Sequence, residues 1–144
     1  DASLSAMFRK LLRNNNWGNN WVDSIFDYHH YHSNTHEVLG ISEGSVKVQL
    51  GGPGFDIHEL HAGDVLIIPA GVAHKRIHSS DDFSCVGGYP GGQDYDMNYG
   101  KEDEFKKATQ NIRDVPLPET DPVYGKKGKI FLLWKKSNSS SQLI

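Results

Sequence analysis

Six of the eight histidines in this chain fall within two stretches, residues 28–44 and 63–78. His30 and His32 stand two apart, so on an extended strand both side chains leave the same face. Ser33-Asn34-Thr35 follows, a run of turn-prone residues, and a reversal there returns Glu37 beside the pair. A fourth group comes from the second stretch, where His74 lies behind Pro69-Ala70-Gly71, a stiff turn closing the apolar run Val65 to Ile68. Three imidazoles and one carboxylate suit a borderline divalent ion, with bonds of roughly 2.0–2.2 Å for zinc. A set that leaves one or two positions open is the usual arrangement for chemistry at iron, manganese, nickel or copper. The expected ligands of one divalent metal ion are therefore His30, His32, Glu37 and His74. His36 competes with Glu37, because a strand presents them to opposite faces; the bulkier apolar residues Leu39 and Ile41 share the Glu37 phase and favour Glu37 inward.

The same residues carry a family resemblance. The spacing His-x-His, four residues, Glu, six residues, Gly is met at His30, His32, Glu37 and Gly44, and resembles the first cupin motif. Gly, five residues, Pro-x-Gly, two residues, His is met at Gly63, Pro69, Gly71 and His74, and resembles the second. Ser24 stands where the family often has an opening Gly, and His78 where it has Asn; neither touches the four ligands. Asn16-Trp17-Gly18, His29 to Ser33, Tyr89-Pro90-Gly91-Gly92 and Asp121 to Gly125 are similar to a small cupin family of unassigned function. The resemblance implies an all-β fold, a cupin double-stranded β-helix (jelly-roll barrel) with the metal inside. An N-terminal helix and a C-terminal strand extension would be added to it. It further implies a small-molecule ligand and, from the habits of related cupins, a homodimer.

The elements that must hold these groups are legible along the chain. Leu4, Phe8, Leu11 and Leu12 recur with helical spacing, Ser3 can cap the start, and Asn14-Asn15-Asn16 ends it. Trp17 and Trp21 lead from this helix into an expected strand from Ile25 to His32, with Tyr28 on the same inner face as His30 and His32. Val46 to Leu50 and Phe55 to Leu60 read as a hairpin across Gly51-Gly52-Pro53-Gly54, which lacks the lysine and helix of a phosphate loop. Val65 to Ile68 is apolar on both faces, as for a strand covered on each side. Beyond His74 the same phase reaches Arg76 and His78, which would put a guanidinium and an imidazole in the cavity, suited to an anionic group. Phe83 to Tyr89 is a further strand, and Cys85 is most simply a small buried hydrophobe. Residues 87–104 form a long loop able to cap the barrel mouth through Tyr89 or Tyr95. A helix is expected from Glu102 to Arg113 with Phe105 on its buried side, and a strand from Ile130 to Trp134. The domain then divides into residues 1–22 as helix and lead-in and 23–90 as barrel core. Residues 91–136 supply cap loop, helix and final strand, and 137–144 a polar disordered tail.

One domain is expected for 144 residues, and 37% hydrophobic content with 15 Gly fits a turn-rich β protein. A net charge of −3 offers no basic footprint, so nucleic acid and anionic membrane are poor partners. The sole cysteine cannot close an internal disulfide, and neither a membrane-length apolar run nor a signal-peptide opening is present. A cytoplasmic setting is the expectation. The favoured function is a metal-dependent, oxygenase-like enzyme acting on a small molecule, an anionic one among the candidates. In that reading Arg76 or Tyr28 orients the substrate. The alternatives are a non-catalytic small-molecule binding cupin and a sugar isomerase or epimerase, which would prefer a catalytic His-Tyr pair to a complete metal quartet.

Overall fold

The computed structural model describes residues 3–134. Helix α1 (Leu4–Asn14) starts where expected, with the Ser3 hydroxyl accepting from the Ala6 amide at 3.2 Å. Seven strands follow: β1 (Trp17–Asp23), β2 (Glu37–Glu43), β3 (Ser45–Leu50), β4 (Ile57–His61), β5 (Val65–Ile68), β6 (His74–Ser79) and β7 (Ser84–Pro90). They pair antiparallel in two sheets, β1-β7-β2-β5 and β4-β3-β6. This is the expected jelly roll.

Period-two alternation explains how the sheets close. On β2, Leu39 and Ile41 point between the sheets and meet Val46 and Val48 of β3, Ile68 of β5 and Cys85 of β7. The intervening Val38 points the other way, onto Phe8 and Leu12 of α1, with Trp17 and Val86. β2 is therefore buried on both faces, while β5 is mostly half-buried, with Val65 and Ile67 leaning on the helix side. A Cβ at Gly40 would stand 2.9 Å from the Phe8 ring, so the absence of a side chain there lets α1 lie close to the sheet.

Three expectations are corrected. Residues 25–32 form no strand: the His30 backbone pairs with His74 and the Tyr31 backbone with Asn98, so successive residues have different partners and no ladder forms. The strand lies earlier, as β1. The C-terminal strand extension is a helical turn, α3 (Ile130–Leu133). No sheet edge receives it; the Leu133 and Trp134 amides instead bond the Lys129 and Ile130 carbonyls at 2.9 Å. Only Ile130 of that turn is buried. The expected helix after the loop is present as a 3₁₀ turn (Glu102–Glu104) and α2 (Phe105–Asp114). Phe105, however, stays exposed at its start, and Ala108 is the buried contact. The tail at 137–144 lies outside the described residues.

Leu12 is fully enclosed between α1 and the sheet. Leu12→Ala is expected to cost about 2–5 kcal/mol, read as a lower urea midpoint with an unchanged slope.

Candidate metal centre

Glu37 opens β2 and, in the same phase as Leu39 and Ile41, turns its carboxylate into the barrel. His74 opens β6. The backbones of His30 and His74 exchange two hydrogen bonds, of 3.2 and 2.9 Å, which brings their ring centroids to 4.1 Å. His32 is tied to the Pro69-Ala70-Gly71 turn through its carbonyl, which accepts from the Gly71 amide at 2.8 Å. One nitrogen from each of His30, His32 and His74 lies within 4.8 Å of the others, and all three residues are buried. Glu37 Oε1 is 3.1 Å from His74 Nε2 and 3.4 Å from His32 Nε2. The structure thus brings together the four groups singled out by spacing.

The hydrogen bonds behind the rings decide what the cluster can hold. His30 Nδ1 donates to the Tyr28 carbonyl at 3.1 Å, His32 Nδ1 to the Asp96 carbonyl at 2.7 Å and His74 Nδ1 to the Val72 carbonyl at 3.1 Å. A carbonyl oxygen only accepts, so each Nδ1 carries its proton, and in the neutral ring each Nε2 has a lone pair. Glu37 Oε1 is buried and has no hydrogen-bond donor. Three neutral-ring lone pairs and an orphaned anionic oxygen facing one another favour positive charge among them, and a divalent cation would supply it. The residues fit the metal.

The charge states follow the same environment. Burial, with His74 beside it, pushes the His30 imidazole down to about 4. Burial also lowers His32, but Glu37 and the Asp96 carbonyl outweigh it and leave that ring above its ordinary value. Burial works to raise the Glu37 carboxyl; the adjacent imidazoles of His32 and His74 overcome it and bring the group to about 2.

Over the cluster lies a cavity of about 530 Å³ whose walls include Ile25, Leu39, Arg76, Tyr89 and Tyr95. Arg76 reaches it, its Nε donating to the Ile25 carbonyl at 2.8 Å. Two other expected cavity residues are elsewhere. The Tyr28 ring is outside, exposed and stacked on Phe26 at 5.0 Å, because the backbone bends where a strand was expected; its carbonyl is the part that serves the site. His78 is exposed: the register slips between Lys47 and Val48 of β3, so Lys47 faces His78 while Val48 faces Arg76, and the alternation expected from His74 breaks. His36 engages both ring nitrogens with backbone, its Nδ1 accepting from the Ala70 amide at 2.9 Å and its Nε2 donating to the Pro116 carbonyl at 3.0 Å. Cys85 donates to the Asp23 carbonyl and its thiol is pushed up to about 12 by burial first, so it is no nucleophile.

Sequence reasoning missed the groups behind the ligands. Asp96, in the loop after β7, supplies the carbonyl for His32 Nδ1, and its carboxylate accepts from the Ser33 amide at 2.7 Å and from the Ser33 hydroxyl. Tyr89 donates to Glu37 Oε2 at 2.9 Å. The signal for Asp96 was faint, one of two acids, with Asp94, in a run rich in Gly and Tyr.

Fold and site together define a cupin. A cupin-domain model matches residues 24–86. The chain belongs to the cupin superfamily. It is 41% identical over 132 residues to the uncharacterized protein YjlB of Bacillus subtilis strain 168, a match covering 92% of this chain and 80% of YjlB. Among solved structures it resembles a variant of the 3,4-ketoisomerase QdtA from Thermoanaerobacterium thermosaccharolyticum in complex with TDP-4-keto-6-deoxyglucose. That match has 20% identity and a TM-score of 0.51, and covers 67% of this chain and 75% of QdtA. A second QdtA variant, in complex with TDP, matches with 22% identity and a TM-score of 0.50 over 67% of this chain and 75% of that one. These likenesses show the shared fold.

Two outcomes are expected. His74→Ala should retain far less divalent metal than wild type after loading and dialysis, measured by elemental analysis; full retention would remove His74 from the ligand set. Burial raises the Asp96 carboxyl, but its Ser33 hydrogen bonds overcome this and hold it below the ordinary range. Its stabilisation is therefore present above the unfolded value near ~3.9 and is lost as pH falls through the lower folded value. Asp96→Asn should cost about 1–2 kcal/mol at neutral pH and flatten the acid limb of a stability-pH profile.

Proposed function

We propose that this cupin is a metal-dependent enzyme, oxygenase-like, that acts on a small molecule bearing an anionic group. The observation that carries this is the cluster itself: three imidazoles turned lone-pair-inward and one donorless carboxylate oxygen, at the base of an accessible cavity. His30, His32, His74 and Glu37 would hold the ion. Bound there, iron, manganese, nickel or copper would supply a Lewis-acidic and redox-active position open to the cavity, and zinc the Lewis-acidic part alone.

The chain's own residues do the rest. Arg76 is fixed through Nε, and among the described residues its terminal guanidinium nitrogens take no protein partner, which leaves a planar fork for a substrate carboxylate or similar anion. Ile25 and Leu39 furnish apolar walls that limit water around the ligands. The Nδ1 bonds hold each imidazole in one tautomer throughout. A cytoplasmic homodimer is part of the proposal, supported by the lone buried Cys85 and by the exposed Leu132 and Leu133 of α3. Among the described residues no helix is long and apolar enough to cross a membrane.

Freshly purified protein should contain iron, copper, manganese or nickel by elemental analysis, and should consume oxygen with a member of a panel of small acids, thiols and phenols. Zinc alone with no oxygen uptake would favour a binding cupin over an enzyme. Arg76→Leu should keep its metal and weaken an acidic substrate roughly ten- to a hundredfold in KM, the loss of one charge-assisted contact.

A further inference from the structure

Glu37 has two oxygens, and the fold treats them differently. Oε1 faces the Nε2 atoms of His32 and His74 and has no donor. Oε2 accepts from the Tyr89 hydroxyl at 2.9 Å, and that hydroxyl accepts in turn from Trp21 Nε1 at 2.9 Å. We propose that Tyr89, braced by Trp21, is a positioning residue that makes Glu37 offer a metal ion one oxygen and withhold the other. The inference rests on the metal-centre reading and adds to it a determinant of how many coordination positions stay open.

The chain is built to make this contact. On β7, Gly87 and Tyr89 share the face turned into the barrel, and Trp21 of β1 pairs directly with Gly87. A Cβ at Gly87 would fall within the Trp21 indole, so a glycine there is what lets the indole lie along β7 and reach the Tyr89 hydroxyl. The β1 register slips between Gly18 and Trp21, an irregularity that re-aims the Trp21 side chain. Tyr89 has 1% exposure, and its ring is stacked on Tyr95 at 4.9 Å. A carboxylate free to turn can bind a metal through both oxygens and occupy two positions. With Oε2 held by a buried donor, Glu37 takes one, and the position beside it stays open to the cavity.

The test is cobalt binding by the full chain. Metal-free wild type, Tyr89→Phe, Trp21→Phe and Cys85→Ala are titrated with Co²⁺ against a competing chelator, and the visible spectrum of each loaded protein is recorded. Tyr89→Phe should bind roughly ten- to a hundredfold more weakly. Its cobalt bands should weaken and shift as Glu37 turns to two-oxygen contact. Trp21→Phe, which keeps the phenol but removes its brace, should move both readouts the same way by a few-fold. Cys85 is equally buried on the same strand but bonds the Asp23 carbonyl, so Cys85→Ala is the packing control and should leave both unchanged. Wild-type affinity and spectrum in Tyr89→Phe would overturn the proposal, as would an equal loss in Cys85→Ala. If Tyr89→Phe does not fold by circular dichroism, an unchanged Trp21→Phe overturns it. Wild type that takes up no cobalt would instead end the metal reading on which the proposal stands.

Discussion

Three backbone carbonyls, those of Tyr28, Val72 and Asp96, set the chemistry of this barrel. Each takes the Nδ1 proton of one histidine and so aims an Nε2 lone pair at the same point. The carbonyls come from three separate segments: the bend before His30, the turn before β6 and the loop after β7. Local helix or strand geometry could not have assembled them. Their relative placement is a property of the closed barrel, so the site exists only when the sheets are packed, and ligand orientation and folding are one process.

The scaffold manages this by committing β2 on both faces. Its outward residues anchor α1, and its inward residues continue from the hydrophobic core directly into Glu37. A carboxylate at the end of an apolar row is costly to bury unless partners wait for it. They do wait: Tyr89 on one oxygen and the imidazoles on the other. The loop after β7 closes the arrangement, since Asp96 grips Ser33 with its side chain while its carbonyl orients His32. A residue that reads as loop filler therefore joins the cap to the ligand set.

What was legible in the sequence was what short spacing encodes. His30 and His32 two apart, Glu37 in the phase of Leu39 and Ile41, and His74 behind a Pro-Gly turn each depend on a few neighbouring residues, and they converge even though His30 and His32 sit in irregular backbone. The paired motifs made the fold readable as well. The errors share a different cause. His78 was placed by assuming unbroken alternation, which a register slip cancels; Tyr28 by a strand that two competing backbone partners prevent. Ile130 to Trp134 is apolar enough for a strand, but strand formation needs an edge to pair with, and that depends on the finished sheets. Two of the contacts behind the ligands were invisible for the same reason: Tyr89 and Glu37 are 52 residues apart in the chain, His32 and Asp96 64.

The charge on Glu37 connects stability to function. Burial alone would keep such a group neutral, yet it is held near 2 by the rings it faces. Holding an anion there obliges the protein to supply positive charge at the same place. Protons on the imidazoles can supply it, but only at the expense of the very lone pairs that the Nδ1 bonds preserve, and burial resists that strongly at His30, which stays neutral down to about 4. A divalent cation satisfies the carboxylate and all three lone pairs together, without asking any ring to change its tautomer. An ion bound there would lower the electrostatic cost of the arrangement, and because Glu37 opens β2 and His74 opens β6 it would add a link between the two sheets.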